Sequence, residues 1–175
     1  MARFTPLEEN NHALDWVILR DGGISLYRRN DYLQLDIDWL VEHGYKVYSF
    51  DCGSWLSENV MHDQLAALLS FPSYYGKNFN ALHECLTDDL IVPDEGGTIF
   101  LLDRFDVFAK RSEAERRPMG RAEAEILLDI IVRASRHFLL TGRRLITLIR
   151  SDDPLLHFEG LGSVHTSWNR RDRGV

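Results

Sequence analysis

The segment GGTIFLLDRFDVF, residues 96–108, constrains the fold more than any other stretch of the chain. Its opening run is apolar at successive positions and so on both faces when extended, the mark of a central strand in a sheet covered on both sides. Such a strand needs neighbours, and KVYSFDCG (46–53) and RLITLIR (144–150) read as strands too. Helical periodicities separate them. Ser57 caps a helix whose Val60, Met61, Leu65, Leu68 and Leu69 fall on one side and which ends at Pro72. A shorter helix follows over residues 78–87, and a long one from about Ala122 to Leu140 carries Ile126, Leu127, Ile130, Ile131, Ala134 and Phe138 as its buried stripe, closed by Gly142. The charged segment KRSEAERRPMGR (110–121) reads as a surface connection. The order strand, helix, helix, strand, helix, strand predicts an α/β fold, a small, mainly parallel β-sheet with helices packed on it.

Ahead of this unit, WVILR (16–20) and ISLY (24–27) flank Asp21-Gly22-Gly23, a pattern that predicts an N-terminal β-hairpin. A helix from about Asp31 to His43 follows, with Leu33, Ile37, Leu40 and Val41 at helical spacing and Gly44 as its stop. The tail holds a short strand around Val164–Trp168. The expected organisation is a hairpin-helix extension over residues 1–45 packed on a core domain of 46–150, with a C-terminal extension over 151–175.

The chain carries 27 Asp+Glu against 20 Lys+Arg, a net charge of −7. That balance argues against direct nucleic-acid binding, which favours a basic footprint, and for a basic protein partner. No apolar run approaches the length of a membrane span and no leader pattern is present, so the expected compartment is the cytoplasm. Cys52 and Cys85 form no CxxC pair, which leaves neither a disulfide framework nor a metal knuckle to read. No cofactor is expected, and the free protein is expected to be a monomer.

The charge is unevenly spread. From Asn78 to Asp106 there are seven acidic residues (Glu84, Asp88, Asp89, Asp94, Glu95, Asp103 and Asp106) against Arg104, a local balance of −6. The stretch FPSYYGKNFNALHECL (71–86) leads into this region. On a helical projection Phe79, Leu82, Cys85 and Leu86 share one arc, and Asn80, His83, Glu84 and Thr87 lie opposite. Asn78 is placed to cap this helix and Gly76 to let the entering loop turn sharply. Tyr74 and Tyr75 are adjacent, so an extended loop points them to opposite sides and buries only one. An aromatic beside concentrated negative charge describes a docking site for a basic protein surface.

PSYYGKNFNALHECLTDDL resembles the signature loop and second helix of the barstar family, intracellular protein inhibitors of the secreted ribonuclease barnase. The likeness is tight over residues 72–87, in YYG, the Asn, the AL and the CLT, and holds in element order from Lys46 to Arg150. The resemblance implies an inhibitor whose loop tyrosine, helix and acidic residues plug a ribonuclease active site, one carboxylate taking the place of a substrate phosphate. By position, Tyr74 is the contacting loop tyrosine, Gly76 the glycine whose backbone lies at the interface, and Glu84 the phosphate mimic, one methylene longer than the family's aspartate. Asn80 stands for an interface aspartate, His83 for an interface tryptophan and Asp89 for a second tryptophan. The family's glutamate on the long helix falls at Arg133 or Phe138.

Two other readings compete. One is a barstar-like module for a partner that is not a ribonuclease, with the extensions as a further candidate surface. The other is a hydrolase using His83 and Glu84 as an acid–base pair. Adjacent helical residues diverge by about 100°, and the chain has no nucleophile elbow, HExxH pair or phosphate-cradling glycine loop. The expectation is therefore no enzymatic activity.

Overall fold

A computed structural model describes residues 4, 5, 7, 13–116, 118, 120–158, 160, 161 and 166–172. Among them the chain forms five strands, β1 (Ile24–Tyr27), β2 (Tyr45–Asp51), β3 (Gly97–Asp103), β4 (Leu145–Arg150) and β5 (Ser167–Trp168). The helices are α1 (Leu14–Arg20), α2 (Asn30–Glu42), α3 (Glu58–Leu69), α4 (Phe79–Glu84), α5 (Phe105–Ala114) and α6 (Glu123–Leu140). The sheet order is β2-β3-β4-β1-β5 and every pairing is parallel, in agreement with the expected α/β class. Strand β3 lies between β2 and β4, and its first four residues are all buried, as a run apolar on both faces requires.

The layers follow from the direction of travel. From β1 the chain crosses to the far edge through α2, then returns by β2, β3 and β4, so right-handed crossovers put α2 on one face and the later helices on the other. The two cores bear this out. Phe50, Phe100, Leu102, Leu145 and Ile149 meet α3, α4, α5 and α6 residues such as Leu65, Leu82, Phe108 and Leu127. On the opposite face Tyr45, Ile99, Ile146 and Leu148 meet Ile18, Leu19, Leu33 and Leu40.

The N-terminal hairpin is not formed. WVILR lies in helix α1, and Asp21-Gly22-Gly23 ends that helix: Gly22 (φ 114°) and Gly23 (φ 81°) adopt left-handed conformations, and the Gly23 amide donates to the Ile18 carbonyl at 2.8 Å. Tertiary contacts outweigh the strand propensity of Val17 and Ile18. Helical spacing seats Ile18 and Leu19 in the core and lets Asp15, also buried, accept from the Tyr45 hydroxyl (2.7 Å) and the Arg144 guanidinium (2.6 Å).

Part of the segment read as a surface connection is helical. Arg104 takes a left-handed conformation (φ 52°), which stops β3, and Phe105, Phe108, Ala109 and Ser112 then bury one face of α5 through 3.6-residue spacing. The tail runs back along the free side of β1. Asp36 on α2, only 2% exposed, accepts from the Tyr27 hydroxyl (2.9 Å), the Asn169 amide (2.8 Å) and Arg171 (2.8 Å). This fixes β5 against β1. Of the strand expected around Val164–Trp168, Ser167–Trp168 is observed; Val164 and His165 lie outside the described residues. Among the described residues no helix is long and apolar enough to cross a membrane.

Candidate functional site

The candidate site is the loop and short helix between α3 and β3. Helix α3 ends at Ser70 in a left-handed conformation (φ 57°), and the chain turns back over it. Phe71 and Tyr75 pack ring to ring at 4.9 Å, and the Tyr75 hydroxyl reaches Nδ1 of His62 on α3 at 2.5 Å. Lys77 pairs with Asp63, also on α3, at 2.6 Å. Tyr75 is thus the buried member of the tyrosine pair and Tyr74, 72% exposed, the outward one.

His62 is 0% exposed and sits between the Tyr75 and Phe79 rings. Burial holds its pKa below the ordinary value, against the opposing pull of Glu58, whose carboxylate lies 3.4 Å from Nε2. The folded state therefore prefers the neutral ring. Its contribution to stability is complete above the unfolded value of about 6.5 and is lost as pH falls below that towards the lowered folded value. Urea unfolding should accordingly give a lower stability at pH 5 than at pH 7.5. His62→Gln should reduce that difference; an unchanged difference in the variant would remove His62 as its source.

Asn78 caps α4 as expected, its side chain accepting from the Ala81 amide at 3.0 Å and donating to the Gly76 carbonyl at 3.2 Å. The left-handed residue of the loop is Lys77 (φ 47°) and not Gly76. A Cβ at 76 would lie 3.1 Å from the side-chain Nδ2 of Asn78, close enough that this side chain would have to shift by a few tenths of an ångström. The helix expected over 78–87 is α-helical only to Glu84. Cys85–Asp89 forms one π-helical turn, closed by the Leu90 amide donating to the Cys85 carbonyl at 2.9 Å. The Thr87 hydroxyl ties it down by donating to the carbonyls of His83 (2.9 Å) and Glu84 (3.1 Å). Leu82, Cys85 and Leu86 are buried as the projection requires, and burial pushes the Cys85 thiol up to about 11.

On the outer side Asn80 and Glu84 are exposed and His83 is half-buried. Among the described residues none of these three side chains has a hydrogen bond or ion pair. Asp88 and Asp89 are exposed on the π turn, and both carboxylate oxygens of Asp89 accept from the Tyr74 hydroxyl, at 2.8 and 2.9 Å. The bond raises the phenol's pKa. Tyr74, Gly76, Asn80, Glu84, Asp88 and Asp89 are each exposed, and the Tyr74–Asp89 bond joins the loop to the π turn. Of the two alternatives on α6, which packs against α4, Phe138 is buried in the core. Arg133 is exposed and pairs with Asp129 at 3.0 Å, so a basic residue stands where the family's glutamate was sought. Sequence reasoning missed the Tyr74–Asp89 bond, which spans fifteen residues across two elements and leaves no local signal.

Comparison with known proteins identifies the family. A 34-residue stretch is 50% identical to a Bacillus subtilis (strain 168) protein described as "Putative ribonuclease inhibitor YrdF". That stretch is 19% of this chain and 37% of the relative, so the chain matches well under two thirds of that protein's length. The family model for Barstar (barnase inhibitor) matches residues 45–149, leaving α1, β1, α2 and β5 outside it. With more than half of the chain matched over β2, β3, β4 and the helices that frame the site, the protein belongs to the barstar family.

Proposed function

We propose that the protein is a stoichiometric inhibitor of a basic ribonuclease made by the same cell, blocking the active site with the loop and helix from Tyr74 to Asp89. The observation that carries this reading is Glu84: a carboxylate at the family's phosphate-mimic position, exposed on α4 and, among the described residues, engaged by no other side chain. Tyr74 and the Gly76 backbone flank it on the loop side, and Asn80, His83 and Asp89 complete the contact. The inhibitor has no turnover of its own.

A second reading is supported by the departures at Asn80, His83 and Asp89, which replace an acid and two tryptophans by residues of different charge and size: the same surface binds a basic protein that is not a ribonuclease. Capture of partners by the tagged protein in its native cell separates the two. Recovery of a small basic ribonuclease supports inhibition, and recovery of a basic protein without nuclease activity supports the second reading.

The charge of the segment that carries the site sets an expectation for kinetics. The −6 balance over Asn78–Asp106 should steer a basic partner at low ionic strength, with a Debye length of about 10 Å at 0.1 M. Stopped-flow association should slow markedly as salt rises; an on-rate that is flat in salt would contradict electrostatic steering.

A further inference from the structure

We propose that Asp89 is a positioning residue: its carboxylate clasps the Tyr74 hydroxyl and holds that exposed ring in the pose that meets the partner. The inference rests on the inhibitor reading for its use, and on geometry for its existence. Tyr74 is 72% exposed in a turn, where an aromatic side chain left to itself samples several rotamers. Here its hydroxyl is fixed at 2.8 and 2.9 Å from the two oxygens of one carboxylate. That carboxylate is itself mounted on a rigid base. The π turn carrying Asp89 is closed by the Leu90–Cys85 hydrogen bond, tied down by Thr87, and anchored by buried Cys85 and Leu86. Below Tyr74, Tyr75 locks the loop onto His62. The loop and the end of the helix are therefore cross-linked at the surface by one phenol–carboxylate bond. A ring already immobilised loses less conformational entropy on binding, and the same bond occupies part of Asp89's capacity to accept from a partner's cations. Asp89 thus acts through Tyr74 as well as by its charge.

Two measurements test this. In the free protein labelled with ¹³Cζ-tyrosine, the Tyr74 resonance, identified by its loss in Tyr74→Phe, should titrate above the ordinary tyrosine value of about 10 and return towards it in Asp89→Ala. Identical titrations in parent and Asp89→Ala would overturn the clasp without touching the inhibitor reading. In the second, barnase is the probe and dissociation constants are measured for parent, Tyr74→Phe, Asp89→Ala and the double variant. The charge lost with Asp89 is common to both backgrounds, so the clasp is read as the difference: Asp89→Ala should cost about two- to tenfold more affinity with Tyr74 present than in Tyr74→Phe. Equal losses in both backgrounds would overturn the positioning role. A parent that leaves barnase unbound, with Tyr74 titrating as expected, would instead overturn barnase inhibition and the use assigned to the clasp.

Discussion

Glu84→Ala is expected to weaken ribonuclease binding by about 2–5 kcal/mol, mostly through faster dissociation, while leaving the fold intact. The magnitude is that of truncating one partner of a buried, hydrogen-bonded charge pair, a range to which the barnase–barstar complex itself contributes, so it is carried over from the family. In the complex the Glu84 carboxylate would be desolvated among arginine or lysine donors, and removing it leaves those charges buried without a counterion. In the free protein the same side chain is exposed on α4 opposite Leu82 and Leu86, where a surface substitution usually changes stability by no more than about 0.5 kcal/mol. Surface plasmon resonance for affinity and urea unfolding for stability separate the two effects. Glu84→Asp refines the test, since it keeps the charge but withdraws it by one methylene. A partner shaped for glutamate should bind it less well than the parent.

The second large effect is expected at Asp36, far from the site. Asp36→Ala should cost about 3–5 kcal/mol of stability, the range for breaking a buried charged network by removing one member. Its carboxylate collects the Tyr27 hydroxyl from β1 and Asn169 and Arg171 from the tail, so one substitution leaves a fully buried hydroxyl without its acceptor and releases β5 from α2. At about 2–4 °C per kcal/mol for a domain of this size, the melting temperature should fall by roughly 6–20 °C in calorimetry. Arg171→Ala should cost much less, because Arg171 is half-exposed and Asp36 keeps two of its three donors. Equal losses in the two variants would mean that the tail, and not the buried carboxylate, governs stability.

The parts of this architecture that were legible in the sequence are those encoded by local period. The doubly apolar run at β3, the one-sided stripe of α6 and the divided faces of α4 each follow from residue spacing, and the candidate site residues, Asp89 excepted, lie in a motif compressed into residues 72–87. What the sequence did not convey depends on distant partners. Residues 16–20 have strand propensity but fold as a helix because Asp15 meets Tyr45 and Arg144 from across the sheet. The glycines after them serve equally as a hairpin turn or a helix stop, and only the tertiary context chooses. The start of α5 was hidden because apolar residues resume at Phe105, Val107 and Phe108 directly after the strand, and nothing local marks Arg104 as the left-handed break. The Tyr74–Asp89 bond and the Asp36 network likewise join residues whose separation in the chain exceeds any periodicity.

The most direct test of inhibition is a titration of a barnase-type ribonuclease, its cleavage of RNA followed as the protein is added. Activity should fall linearly to an end point at equimolar protein for the parent, with a gradual curve displaced to higher concentration for Glu84→Ala. Ribonuclease activity undiminished by a large molar excess of the folded parent would contradict the inhibitor reading, and identical curves for parent and Glu84→Ala would contradict the role given to Glu84.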